Sequence, residues 1–286
     1  MRALVTGATG QLGVELLKIA PSHIEAIGLA HSECDISEAE QVDAALETHR
    51  PQLVINAAAF TAVDAAESAA ELAGAVNAAG AGNVARGAQH VGARVIHVST
   101  DYVFDGTSAT PYTPASPTDP INVYGISKLA GEKAVQEAAS GALIIRSSWL
   151  YASHGRNFLN TILSALRKSK PLRVVDDQRS APTSARSLAE TIWECAGHRE
   201  LRGIQHWADA GTASWYDFAV AIQEIAVERG ILESATQIAP VATEEYATPA
   251  RRPRYSVLDT TALSSAINRP ARPWRTRLAE TISELK

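Results

Sequence analysis

The sequence predicts an α/β fold, a doubly wound parallel sheet with a smaller C-terminal lobe, and three observations carry that prediction. Short apolar runs alternate with helix-compatible segments from the N-terminus to about Ser147, and buried strands alternating with helices indicate a parallel sheet covered on both faces. A turn with glycine at every third position, Gly7, Gly10 and Gly13, directly follows the first run. Beyond Trp149 the alternation loosens into helices separated by loops rich in Pro and Arg.

In chain order, residues 2–6 (RALVT) favour a strand, and Val14 to Ala20 reads as a helix that Pro21 ends. Residues 24–30 (IEAIGLA) form a second strand, and Ser37 with Glu40 three places on makes a capping box for a helix reaching His49. Leu53-Val54-Ile55 is a third buried run, 64–91 an Ala-rich helix, 94–98 (RVIHV) a strand, 122–139 a helix and 143–146 a strand. Further helices are expected at 157–168, 185–197, 214–229 and 274–285. Pro111, Pro114, Pro117 and Pro120 fix φ and remove donors, so 107–120 should be an irregular loop over the sheet edge.

The 286 residues suffice for one large domain or two interleaved ones. With 46% hydrophobic and 20% charged residues, long disorder and fibrous repeats are excluded. A net charge of −5 argues against nucleic acid or an acidic membrane as the main partner. Only Cys34 and Cys195 occur, so the fold does not rest on a disulfide framework, and the N-terminal run meets Gly7 too soon for a signal peptide or membrane span. A cytoplasmic protein is expected. The histidines include no HxxxH and no nearby cysteine pair, so no zinc site is expected.

Three motifs carry chemistry. A tight strand-to-helix turn needs residues without Cβ, both for its dihedrals and to let a pyrophosphate approach the N–H groups of the helix start. Gly7, Gly10 and Gly13 stand there, in the order GxxGxxG, and point to a dinucleotide. Tyr124 and Lys128 are four apart in a predicted helix, which puts phenol and ammonium on one face. A nearby cation favours phenolate, so Lys128 is expected to pull Tyr124 toward titration near neutrality. Ser99-Thr100 follow the strand 94–98, and ligands of such sheets gather beyond the carboxyl ends of strands. The hydroxyl can then bond a substrate carbonyl.

GATGQLG at the N-terminus, Cys34-Asp35-Ile36, NAAAFTAVDAAE (56–67), VNAAG (76–80), STDYVFDG (99–106), YGISKLAGE (124–132), RSSWLY (146–151), NF (157–158), DDQ (176–178), APT (181–183), SWYDFA (214–219) and ATPARRPRYSVLD (247–259) together resemble the dTDP-4-dehydrorhamnose reductase family of extended short-chain dehydrogenases/reductases. The likeness runs from Met1 to about Asp259. The glycines and YxxxK are common to the superfamily, whereas STDYVFDG, RSSWLY and the late RP-x-x-S-x-L stretch are more specific. Phe60 and the pair Arg179-Ser180 depart from the residues more usual at those places.

The resemblance implies a Rossmann-type domain over 1–148 and a substrate-binding lobe over 149–286, with part of 156–200 returning to the first domain. It implies Thr100, Tyr124 and Lys128 as catalytic groups, and Thr100, Asp101 and Trp149 as substrate contacts. It places the cofactor on Gly7, Gly10, Gln11, Leu12, Gly13, Asp35, Ile36, Ala57, Ala58, Ala59 and Thr61, together with Tyr124 and Lys128. Asp35 lies 22 residues past Gly13, about where an acid would bond a ribose 2′-hydroxyl and favour NAD, yet the second strand ends near Ala30 and turns Asp35 toward the adenine. The resemblance implies NADPH, with NADH tolerated.

Arginines concentrate in the C-terminal third, and guanidinium forks match phosphate oxygens. Arg252, in the RP segment, is the expected ligand of a sugar-nucleotide diphosphate. Some family members bridge a homodimer with Mg²⁺ through glutamates, and Glu15 matches one such position. The implied activity is NADPH-dependent reduction of the C4 ketone of dTDP-4-dehydro-L-rhamnose, with the dTDP-sugar as partner. Two rivals stand beside it: a nucleotide-sugar epimerase or dehydratase on the same fold, and a non-catalytic subunit resembling the regulatory beta subunit of methionine adenosyltransferase.

Overall fold

The computed structural model describes residues 1–168 and 170–285. Its first half supplies strands β1 (Arg2–Thr6), β2 (Glu25–Leu29), β3 (Leu53–Asn56), β4 (Arg94–Thr100) and β5 (Leu143–Ser147). Helices α1 (Gln11–Lys18), α2 (Ala39–His49), α3 (Val63–Ala66), α4 (Ala70–Gly74), α5 (Ala81–His90) and α6 (Val123–Ala138) lie between them. The second half adds the short strands β6 (Leu150–Tyr151), β7 (Leu172–Val175), β8 (Arg179–Ser180), β9 (Thr183–Ser184), β10 (Gly203–His206), β11 (Ala213–Ser214) and β12 (Ile238–Val241). Its helices are α7 (Phe158–Leu166), α8 (Ala185–Gly197), α9 (Trp215–Glu228), α10 (Thr261–Ala266) and α11 (Trp274–Ser283).

The central sheet has six strands in the order β10-β5-β4-β3-β1-β2, all parallel. Side chains alternate across it with period two. Ala3, Val5, Leu53, Ile55, Ile96, Leu143 and Ile145 pack into a core with α1 and α8. Leu4, Val54, Val95 and Ile144 pack into another with α2, α5 and α6. Both faces are therefore dry, which is why these strands read as unbroken apolar runs. A third core, under α7, α9 and α11, gathers Tyr151, Leu159, Phe218, Ile222 and Trp274. The edge strand β10, α8 and α10 return from the second half to pack with the central sheet and α1.

Three local expectations change. The Ser37/Glu40 box does not form; α2 starts at Ala39 without a side-chain cap, because Ser37 donates both its N–H and Oγ to Asp35 Oδ1 at 2.9 and 2.8 Å. The Ala-rich helix over 64–91 is broken into α3, α4, a π-helical turn at Ala75–Gly80 and α5. The π turn carries Asn77, buried and bonded to the Phe60 backbone and to Ser127 Oγ, and such turns recur at functional sites. Strand β4 runs on to Thr100, so the hydroxyl pair ends the strand rather than following it. The loop 107–120 is irregular, and the edge-strand residue His206 donates Nδ1–H to the Tyr112 carbonyl at 3.0 Å.

Candidate active site

The sheet order reverses between β1 and β3, and a crevice opens beyond their carboxyl ends. Gly7 ends β1 at φ +69°, where a Cβ would lie 2.7 Å from the Ala58 backbone; a Cβ on Gly13 would lie 2.2 Å from Gly7 O. Gly10 caps α1 with no side-chain hydrogen bond, leaving the first-turn N–H groups of Gln11, Leu12 and Gly13 for an anion. Ala57, Ala58, Ala59 and Thr61 form the facing loop after β3, held to α6 through Phe60 and Asn77. Gln11 is fixed from the other side, accepting a bond from Asn157 Nδ2 at 2.8 Å. This cradle fits a dinucleotide pyrophosphate.

Asp35 does not reach freely for a ribose. Its Oδ1 is committed to Ser37, whose hydrogen bonds hold the carboxyl below its ordinary pKa, and the adjoining Ile36 is buried against Gly80. At the end of β2 stand Ala30, His31 and Ser32, the last two exposed, while the nearby Glu33 carboxylate is tied to Ala30 N at 2.8 Å.

Opposite the glycine turn, β4 and α6 bring the three expected catalytic side chains together. Thr100 caps a 3₁₀ turn (Asp101–Val103), its Oγ1 accepting from Tyr102 N at 3.2 Å. Helix α6 is capped by Asn122 and settles closely on that turn, where a Cβ on Gly125 would lie 2.1 Å from Tyr102 O. That contact explains glycine in the YGISK segment and seats the start of α6 on the turn after Thr100, where the Thr100 hydroxyl acts to lower the Tyr124 pKa. Tyr102 packs edge-on against the Tyr124 ring at 5.9 Å. One turn along α6, Lys128 is buried, with Nζ 2.7 Å from Val98 O and 3.5 Å from His97 Nε2.

The electrostatics correct one expectation. Burial pushes the Tyr124 phenol up to about 12; the Thr100 hydrogen bond offsets part of this and Asp101 adds to it, with no contribution from Lys128. The ammonium is engaged with β4 instead, and its own pKa is lowered by burial to about 8. Tyr124 is therefore a protonated donor rather than an incipient phenolate.

Asp101 also differs from expectation. It is 2% exposed, and its carboxylate accepts from Ser256 Oγ at 2.5 Å, Ser180 Oγ at 3.1 Å and Thr100 Oγ1 at 3.2 Å. Enclosed by hydroxyls, it orients Thr100 instead of offering an open face to substrate. The Ser180 that stands out in the sequence is thus one of its supports.

Burial raises the Asp101 pKa from 3.8 to about 6 despite these bonds. Between those values the folded chain holds a proton that the unfolded chain releases, so stability falls as pH rises through the window. Asp101→Asn is expected to remove this share of the slope, leaving that of Asp209, which burial also raises to about 6. Urea midpoints for both proteins across the same pH series measure the difference; identical slopes would refute it.

Trp149 sits at φ +43°, a backbone conformation bulky residues rarely hold without compensation. Stacking on Trp215, with centroids 3.5 Å apart and planes 8° apart, supplies it. Trp215 is in turn held by Gln178 through its indole N–H at 3.1 Å and by Phe158. The half-buried pair makes an aromatic wall on the C-terminal side. Trp215, within SWYDFA, carries no spacing signal that marks it in the sequence as part of this wall.

Arg252 meets a different partner from the diphosphate expected of it. Asp64 on α3 takes it bidentately, at 3.0 and 2.8 Å, and Nη1 also reaches Thr248 Oγ1. The guanidinium staples segment 248–252 over α3 rather than presenting a free fork.

Glu15 does not fit Mg²⁺ within this chain. Its Oε1 lies 3.1 Å from His154 Nε2 and 3.9 Å from Lys18 Nζ, and its Oε2 lies 3.6 Å from Arg186 Nη1. Nitrogen donors and fixed cations fill the places oxygen ligands would need. Among the described residues no group of three or more His, Cys, Asp or Glu side chains is placed to hold a metal ion.

Fold and site together define a nucleotide-dependent oxidoreductase of the extended short-chain type. The family model described as RmlD substrate binding domain matches residues 1–286. The chain is 39% identical to the dTDP-4-dehydrorhamnose reductase of Burkholderia thailandensis, over 100% of this chain and 99% of that one. It superposes on the crystal structure of a dTDP-4-dehydrorhamnose reductase from Clostridium acetobutylicum with a TM-score of 0.93 and 37% identity, covering 100% and 99% of the two chains. The Bacillus anthracis dTDP-4-dehydrorhamnose reductase, solved in complex with NADP, gives 0.92 and 34%, covering 99% of each. The chain belongs to the dTDP-4-dehydrorhamnose reductase family.

Proposed function

We propose that the protein reduces the C4 ketone of dTDP-4-dehydro-L-rhamnose to the alcohol of dTDP-L-rhamnose, using NADPH. The observation that carries this is the seating of α6 on the end of β4, which brings Tyr124 and Lys128 to the strand that ends in Thr100, on the same carboxyl rim of the sheet as a glycine turn shaped for a dinucleotide. When bound, the reduced nicotinamide supplies hydride to the ketone carbon. Thr100 polarises the ketone oxygen by turning its single O–H from the Asp101 carboxylate to the substrate, while Tyr102 N holds the hydroxyl oxygen in place. Tyr124 gives its proton to the oxygen as charge develops, a role its elevated pKa suits because the phenol stays protonated at working pH. Lys128, against the end of β4, would hold the nicotinamide ribose through its amine. The wall of Trp149 and Trp215 offers an apolar face for the sugar or thymine ring.

NADPH is favoured over NADH because the ribose-binding end of β2 offers His31 and Ser32 in place of a free carboxylate. The free, buried Cys34 and Cys195 suit a reducing cytoplasm. Among the described residues no helix is long and apolar enough to cross a membrane.

The test is an NADPH-oxidation assay with enzymatically made dTDP-4-dehydro-L-rhamnose beside its UDP counterpart. Stoichiometric NADP⁺ and dTDP-L-rhamnose, with the UDP sugar slower, is the expected result. Sugar conversion without net NADPH loss would replace the reductase with an epimerase, and turnover of neither sugar would overturn the assignment.

A further inference from the structure

Thr6, Asn56 and His97 occupy one row across β1, β3 and β4, paired in register as Thr6↔Asn56 and Asn56↔His97. All three are buried, where apolar side chains would be expected, and together they form a hydrogen-bonded chain that ends at Lys128. The direction of that chain is determined by one unambiguous donor. Ala58 N–H points to the Asn56 side chain at 3.3 Å, so the atom it meets is Oδ1, which also accepts from Thr6 Oγ1 at 2.8 Å. The other arm, Nδ2, must then donate to His97 Nδ1 at 3.2 Å. A neutral imidazole accepting on Nδ1 carries its proton on Nε2, and Nε2 faces Lys128 Nζ at 3.5 Å.

We propose that His97, locked by Asn56 with its proton on Nε2, is a positioning residue that turns an N–H donor toward Lys128 and so disfavours the ammonium form of that lysine. A neutral Lys128 satisfies every contact, donating to Val98 O at 2.7 Å and receiving Nε2–H on its lone pair. A charged Lys128 sets donor against donor. Burial, the main cause, holds His97 well below its ordinary pKa, so the imidazole stays neutral whichever form the lysine takes.

The other groups around Lys128 do not reproduce this effect. Glu132, one turn on, favours the ammonium, but its carboxylate is engaged by Arg146 from β5 and Ser99 from β4. Tyr124, one turn back, is a neutral phenol. The π turn contributes Asn77, which reaches Ser127. The proposal deepens the reductase reading, on which its consequence for rate depends, but the tautomer and the lysine titration are measurable without turnover.

The experiment is nitrogen-15 NMR of the full chain labelled at histidine, with carbon-13 detection of lysine ε-carbons and the Lys128 signal assigned by its loss in Lys128→Met. In the unmodified protein the His97 proton is expected on Nε2. Asn56→Asp keeps acceptors for Thr6 and Ala58 N but calls the imidazole proton to Nδ1, leaving the Nε2 lone pair facing Lys128. The Lys128 midpoint is then expected to rise by about one pH unit or more, a tenfold gain in proton affinity. His97→Gln, whose amide can turn its oxygen to the ammonium, is expected to move the midpoint the same way and serves if Asn56→Asp does not fold. A wild-type proton on Nδ1, or a midpoint that stays or falls in both variants, would overturn the proposal whether or not the sugar is reduced.

Discussion

Tyr124→Phe is expected to lower kcat by roughly 10²–10⁴ with the NADPH dissociation constant nearly unchanged. The substitution removes one oxygen and keeps the ring that packs edge-on against Tyr102, so helix α6 and the cofactor cradle are undisturbed. The missing proton matters only as charge gathers on the ketone oxygen, so kcat and kcat/KM should fall together. Thr100 still polarises that oxygen, which keeps residual activity above the uncatalysed rate. With the phenol near 12, the wild-type pH profile should show no limb from Tyr124 ionisation around neutrality. Steady-state NADPH oxidation and a fluorescence titration of cofactor binding measure both halves; wild-type turnover in the variant removes Tyr124 from the mechanism.

What the sequence revealed of this site is what depends on short spacing. Three glycines at fixed intervals specify a turn because φ at Gly7 and the approach to Ala58 forbid a side chain, and both constraints lie within a strand-turn-helix unit. Tyr124 and Lys128 are legible because a spacing of four means one helical face. The partners of these groups come from far along the chain and leave no local signal. Asp101 is held by Ser180 and Ser256, 79 and 155 positions away, and Arg252 by Asp64, 188 away. Arg252 read as a phosphate ligand because its type suits one; only the fold shows that a carboxylate has already taken the fork. The phenol was misjudged for a related reason. Spacing places Lys128 beside Tyr124, but burial determines the direction of the shift, and the lysine bonds β4. His97 sits in RVIHV as an interruption of an apolar strand, and that interruption was the available sign of a buried polar row.

Glu132→Gln is expected to destabilise the fold by about 3–5 kcal/mol, the largest stability effect among single changes near the site. Glu132 is 1% exposed and Arg146 2%, and they meet bidentately, Arg146 Nε at 2.9 Å and Nη2 at 2.7 Å. Ser99 Oγ adds a third donor to the carboxylate, while the Phe104 ring lies 5.1 Å from the guanidinium. The pair is stapled between β4, β5 and α6, the elements that carry Thr100 and Tyr124. A glutamine keeps the shape but sets an NH₂ against the guanidinium and leaves its charge buried without a counterion. A domain's whole stability is about 5–15 kcal/mol, so the loss is a large fraction of it. The Glu132→Leu, Arg146→Met double variant removes both charges at similar volume and should recover most or all of the loss, because the desolvation penalty disappears with them. Urea midpoints at constant m-value separate the cases. A double variant no more stable than the single would show that the cost lies in packing, and that the buried charge is not what ties the helix to the sheet.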